Sequence, residues 1–232
     1  VKGAAKGVTS AVTLVMDHVS SKISTIIAAR ATNLVSVTEA IRHSSESIVA
    51  SATILGVESD SIKTAASSIV EAISVTMKEL HTGIVANADI STEKIAGIGI
   101  SINTAAKSLG NLSNVDIDAR LVETAGRNII TAVNDLTTQI ENEFENIVRG
   151  GASSFGVIVE TMTAQAESLA ILSENAVLTP QIKTVSESML NFMTETVLEN
   201  AASMITDERA ESDILTILLA ATKTMDTADI LV

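Results

Sequence analysis

The chain is 232 residues long, 46% apolar, and carries 28 acidic against 15 basic residues, for a formal net charge of −13. That balance argues against a nucleic-acid partner, since no basic patch is available to displace counterions from phosphate, and against an anionic membrane surface. The absence of cysteine removes disulfides, zinc fingers and thiol chemistry together.

Aromatic residues make up 1% of the chain: Phe144, Phe155 and Phe192, with no Trp or Tyr. A core must therefore be built from Ala, Val, Ile, Leu and Met, without the large burial that aromatic rings supply. One proline and eleven glycines leave little material for a loop-rich fold, so long helices are expected. The many Ser, Thr, Val and Ile residues lower helix propensity slightly, which leaves apolar periodicity to decide.

The chain also echoes itself. Ile62-Lys63-Thr64-Ala65-Ala66 returns as Val122-Glu123-Thr124-Ala125-Gly126 and again as Ile182-Lys183-Thr184-Val185-Ser186, in steps of 60 residues. The opening Val1-Lys2-Gly3-Ala4-Ala5 stands 61 residues before the first of these. A fixed period in this range predicts an array of one supersecondary unit.

In chain order, the first unit (1–61) places Val1, Val8, Val12 and Val19 on one helix face and Leu34, Val37, Ile41 and Ile48 on a second. Between them Ala28-Ala29-Arg30-Ala31-Thr32 could continue as helix. The second unit (62–121) repeats the stripe with Ile62, Ile69, Ile73 and Leu80, breaks at Asn87-Ala88-Asp89, and resumes with Ile95, Ile98, Ile102 and Leu109. In the third (122–181), Val122, Ile129, Val133, Leu136 and Ile140 precede a break at Arg149-Gly150-Gly151, followed by Phe155, Ile158, Met162 and Leu169. Gly-Gly after a basic residue reads as a helix C-terminus. The fourth (182–232) carries Ile182, Met189, Met193 and Val197, breaks at Thr206-Asp207, and holds a shorter second helix over 208–224.

Asp60, Asp118 and Thr179 stand where N-caps belong, and Pro180 falls at the start of a helix, where its missing N–H is harmless. The expectation is an all-α chain of about four tandem helix-pair repeats of roughly 60 residues each. They are arranged either as serial antiparallel helical bundles or as an α-solenoid, with the length of the helices favouring bundles.

Few residues invite chemistry. His18, His43 and His81 occupy unrelated positions in the repeat. Glu39 and His43 share a helix face at metal half-site spacing, but no Glu-x-x-His completes a di-iron bundle, and a surface pair explains them better. Asn114-Val115-Asp116-Ile117-Asp118 opens like a calcium loop, yet Ala119 replaces the required Gly and Ala125 the bidentate Glu. Glu141, Glu143 and Glu145 around Phe144 read as a solvated face, and Gly97-Ile98-Gly99 as a site of close helix approach. The seven methionines, most on the apolar stripe, read as core fillers. No phosphate-binding glycine loop or nucleophile elbow occurs. No catalytic, cofactor-binding or metal site is therefore expected, and no cofactor. Asn111-Leu112-Ser113 is one glycosylation sequon.

No apolar run approaches the roughly 18 residues of a membrane span; the longest, over 214–221, is interrupted by Thr216. The first residue is Val1 with no charged-then-apolar leader, which reads as a processed chain or a piece of a longer one. Rich in Ala, Ser and small aliphatics, the chain resembles the helical repeat units of silk-type extracellular fibre proteins, such as wrapping and egg-case spidroins. It differs from them in its acidity and low glycine content. The resemblance implies a secreted, load-bearing material made by chain–chain association. The function expected is a non-enzymatic structural protein self-assembling into a filament or fibre, with acid or divalent cations quenching its self-repulsion. An α-solenoid adaptor for a partner protein and an amphipathic coat on lipid or particles are the alternatives.

Overall fold

A computed structural model describes residues 1–29, 31–86, 91–149, 152–200, 222 and 230–231. Among the described residues seven α-helices follow one another: α1 (Lys2–Ala29), α2 (Ala31–Leu55), α3 (Asp60–Ala86), α4 (Thr92–Asn111), α5 (Ala119–Val148), α6 (Ala152–Leu172) and α7 (Thr179–Phe192). A π-helical turn, Met193–Val197, continues directly from α7. Among the described residues there is no strand, so the chain is all-α, as its periodicity predicts.

Local chemistry sets the helix ends. Asp118 caps α5 by accepting a hydrogen bond from the Arg120 N–H at 2.9 Å. Asp60 and Thr179 are not caps but lie inside the first turns of α3 and α7. Ser59 precedes α3, its carbonyl accepting from the Ile62 and Lys63 N–H groups. Leu178 precedes α7 without a side-chain cap, and Pro180 sits in the first turn. The α4 cap, Ser91, accepts from the Lys94 N–H. Gly56 ends α2 with φ +89°, a left-handed geometry that a residue with a Cβ adopts at a cost. The expected breaks at 87–89 and 206–207 lie outside the described residues, as do Gly150 and Gly151.

The helices form two layers. In one, α3 packs against both α1 and α5, and α5 against α7; in the other, α4 packs against both α2 and α6. Within a layer the helices run parallel, because cross-contacts keep a nearly constant sequence offset. Ser74 meets Asn128 and His81 meets Asp135, each 54 residues on. In the other layer Asn103 meets Ala164, 61 residues on. Between layers the direction reverses: Val133 and Thr137 of α5 meet Gln165 of α6, while Phe144 meets Phe155.

The contacts are those of a packed helical bundle, in which α3 and α4 each touch helices on both sides of them.

The predicted stripes supply the core. All twelve positions of the second-half stripes, Leu34 to Leu169, are buried, as are Ile62, Ile69, Ile73 and Leu80 in α3. Met16, Met77, Met162, Met189 and Met193 are buried as expected of core fillers. The exceptions are Val1, 91% exposed and just before α1, Val8, 39% exposed in α1, and Val122, half-buried near the start of α5. The three phenylalanines, distant in sequence, gather where α5, α6 and α7 meet. Phe144 lies edge-on to Phe155 at 6.2 Å and to Phe192 at 5.5 Å between ring centroids. Such contacts add about 0.5–1.5 kcal/mol each beyond the area they bury.

Candidate functional site

The residues singled out for chemistry are held apart by the fold. His18 is exposed on α1. On α2, Arg42 stands between Glu39 and Glu46. Its Nε and Nη2 donate to Glu39 Oε2 at 2.9 and 2.7 Å, and Nη1 donates to Glu46. These hydrogen bonds, that to Glu39 first, raise the Arg42 pKa above its ordinary value. His43 sits at the edge of this cluster, 3.9 Å from Glu39 and two-thirds exposed. The carboxylate a metal would need is engaged by the guanidinium, which makes Glu39–His43 part of a solvated ionic cluster.

The loop over 112–118 does not close on a cation-sized cage. Asp118 faces the α5 N-terminus, and Asp116 pairs instead with Lys63, which also holds Glu58 at 2.9 Å. Asp116 first, then Glu58, raise the Lys63 pKa above its ordinary value. Among the described residues no group of three or more His, Asp or Glu side chains could hold a metal ion.

Glu141 and Glu143 are half-buried, while Asn142, Glu145 and Asn146 are exposed. The solvated reading therefore holds for part of the run, and burial pushes the Glu141 carboxyl above its ordinary pKa. Phe144 is directed inward to the aromatic cluster.

The glycines act in packing. A Cβ on Gly97 would meet Val35 of α2 at 3.7 Å, and one on Gly99 would lie 2.8 Å from the Thr161 methyl of α6. Gly110 is similarly closed by Ile171, at 2.9 Å. Asn111, the sequon residue at the end of α4, donates from its side-chain amide to Ser45 Oγ at 3.4 Å.

Two features escaped sequence reading. The first is the His81–Asp135 pair joining α3 to α5, half-exposed on the histidine side. Nothing local links residues 54 apart, so only the register of two helices could reveal it. The second is α6, whose segment Ser153–Leu172 is long and apolar enough to cross a membrane by length and composition. Glu160, Glu167 and its hydroxyl residues interrupt any plain apolar run. In the fold 56% of the segment is buried against its neighbours, as befits a core helix.

Two clefts mark the surface. One of about 360 Å³ opens between the loop after α4 and the loop after α6, lined by Leu109, Val122, Ile171, Glu174, Asn175 and Leu178. Another of about 460 Å³ runs between α1 and the start of α3, past Thr9, Thr13, Asp17, Asp60 and Thr64.

What recurs instead is a set of packing faces. Ala65, Ile69, Ala72 and Thr76 of α3 are fully buried. Sixty residues on, so are Ala125, Ile129, Ala132 and Leu136 of α5. Spacings of four, three and four residues put each set on one helix face. The matching α1 residues are Ala4, Val8, Ala11 and Val15, apolar yet exposed. Among the described residues α1 packs against α3 and α2, and no other helix lies on this face of it. The other layer behaves alike. Ser101, Thr104 and Ser108 of α4 are buried on the side of α2, while Ala40 and His43 of α2 are exposed and Ser47 is half-buried.

Compared with protein families, characterised proteins and solved structures, the chain matches none.

Proposed function

We propose that this chain is a structural protein, an array of tandem helix pairs that works by associating with itself into filaments or fibres and not by catalysis. The observation that carries the reading is the recurrence of one packing face, buried in α3 and again in α5 at the same positions 60 residues apart. A unit that docks on its predecessor through a repeated apolar frame adds by stacking, and stacking has no built-in end. Surface residues drift across the same units, as Lys2, Lys63, Glu123 and Lys183 do at one position, which suits a packing role more than recognition of one small ligand. The composition resembles that of silk-type fibres, and a secreted location goes with that resemblance.

The net charge of −13 opposes association near neutral pH, and lowering the pH toward the isoelectric point of about 4.6 removes the repulsion. Sedimentation velocity and negative-stain microscopy test this across pH, with and without a divalent cation. Helical oligomers or filaments growing as the pH falls support it. A strict monomer at every pH, with saturable binding of a small molecule, defeats it.

A further inference from the structure

We propose that Asn111 carries an N-linked glycan, attached through its side-chain amide nitrogen at the turn that ends α4. The inference rests on the secreted location proposed above and adds to it a covalent modification at one atom.

The sequence supplies the acceptor. An oligosaccharyl transferase takes Asn followed by any residue but Pro and then Ser or Thr. Asn111-Leu112-Ser113 is the one place in the sequence that meets this requirement. The 61-residue counterparts of Asn111, Ala50 in α2 and Leu172 in α6, carry no amide, so the repeat gives no packing reason for an asparagine here. Nor does backbone conformation. Asparagine is favoured at helix ends where the chain turns left-handed, and among the described residues none but glycine has a positive φ.

The fold leaves the acceptor open. Asn111 is the last residue of α4 and Ser113 lies in the turn beyond it; both are exposed, while Leu112 between them is 1% exposed. Leu112 thus anchors the turn in the core and holds the two recognised residues outside it. The Leu112 N–H donates to the Leu109 carbonyl and the Ser113 N–H to the Gly110 carbonyl, both at 3.1 Å, so the turn is closed locally and a bulky group on it disturbs no helix contact. The Asn111 amide is weakly engaged. Its Nδ2 donates to Ser45 Oγ at 3.4 Å, the long end of a hydrogen bond, and Ser45 has a 2.8 Å bond of its own to the Arg42 carbonyl. Asn103 and Asn128, by contrast, commit their amides to the Ala164 and Ser74 carbonyls of neighbouring helices at 2.8 and 3.0 Å.

The modification is a substitution at the anomeric carbon of the first sugar. Asn111 Nδ2 bonds to C1, the C1–O bond to a lipid-borne pyrophosphate breaks, the pyrophosphate leaves with the electron pair, and the amide proton passes to a base of the transferase. The donor is a lipid-pyrophosphate-linked oligosaccharide of the secretory pathway, and nothing is oxidised or reduced. A bulky, hydrated sugar there keeps the turn between α4 and α5 in solvent and directs chain–chain contact to other faces.

The test is mass spectrometry of the chain from its native material, treated with peptide N-glycosidase in heavy-oxygen water and digested with trypsin. Cleavage after Lys107 and Arg120 isolates residues 108–120, in which Asn111 is the one acceptor. Aspartate labelled with heavy oxygen is expected at position 111. The same peptide recovered with unlabelled asparagine and no sugar overturns the site and leaves the proposed structural function standing. A labelled peptide from a chain that stays a strict monomer at every pH overturns that function and leaves the site standing. Expressed behind a signal peptide in cultured cells, the parent chain is expected to migrate more slowly than Asn111→Gln or Ser113→Ala, a difference the glycosidase removes. Parent and variants migrating alike before treatment overturn the site as well.

Discussion

Where α3 meets α5 and where α4 meets α6, the molecule packs parallel helices side by side, yet the two contacts use different residues. The first buries Ile73, Ile129 and Val133 in the helices that meet there, with polar bridges at its flank from Asn128 to the Ser74 carbonyl and between His81 and Asp135. The second is made of Gly99, Gly110, Thr161 and Ser168, with Asn103 Nδ2 donating to the Ala164 carbonyl at 2.8 Å. Branched aliphatics stabilise the first contact by apolar burial. Glycine and hydroxyl residues let the backbones approach, and the hydroxyls satisfy themselves within their own helix. Ser168 Oγ donates to the Ala164 carbonyl, and on the α2 side of α4 Ser101 Oγ donates to the Gly97 carbonyl and Ser108 Oγ to the Thr104 carbonyl, all at 2.7 Å. A chain almost without aromatic rings thus has two ways to make a dense interior, one by volume and one by proximity.

The largest effect that sharpens this contrast is expected in the aliphatic layer. Ile129→Ala removes a fully buried side chain from α5 and leaves a cavity, at a cost of about 2–5 kcal/mol. Ser101→Ala, equally buried in α4, removes a hydroxyl bonded only to its own helix and costs less than about 1 kcal/mol. Urea unfolding followed by circular dichroism measures both. Equal losses would show that the two layers do not differ in what holds them.

The next effect belongs to the close-packed layer. Gly99→Val places a branched side chain where a single Cβ already comes within 2.8 Å of Thr161. Overpacking of this kind costs about 1–3 kcal/mol, more than the roughly 0.5 kcal/mol that helix propensity returns when glycine is replaced. The double variant Gly99→Val with Thr161→Ala should recover much of the loss, because the clash is with that one side chain. Failure of Thr161→Ala to rescue would mean that α4 and α6 are not held at this distance by Gly99.

These differences also explain what the sequence could and could not disclose. The aliphatic stripes were legible because large apolar residues recur with helical period, from Leu34 through Leu169. The second layer's interior was not, since Ser101, Thr104, Ser108 and Thr161 are residues that ordinarily face water and are buried here only because neighbouring helices come close. Caps were half legible. Asp118 fills the role expected of it, while Asp60 and Thr179 sit one residue inside their helices, a shift that residue type alone does not resolve. Which helix faces meet depends on residues some 54 to 66 positions apart, which no local pattern links. Val8 and Val15 lie within the apolar pattern of α1 and are nonetheless exposed.

The smallest predicted effect concerns charge inside the aliphatic layer. Glu141 of α5 is half-buried beside the inward-facing Phe144, and burial raises its pKa above the ordinary 4.5. A carboxyl whose folded-state pKa is raised makes the native state pay for ionisation: stability is highest where the group is protonated and falls as the pH rises through the unfolded and then the folded value. Glu141→Gln keeps the shape and removes the charge. At pH 7 the variant is expected to unfold at a slightly higher urea concentration than the parent, by a margin that solvent screening of a half-exposed group keeps small. The margin should shrink as the pH is lowered and vanish below about 4.5, where the parent carboxyl is itself neutral in both states. A variant less stable than the parent at pH 7 would mean that the Glu141 carboxylate is held by a favourable partner. The aliphatic layer would then tolerate charge as readily as the hydroxyl-rich layer tolerates its buried serines.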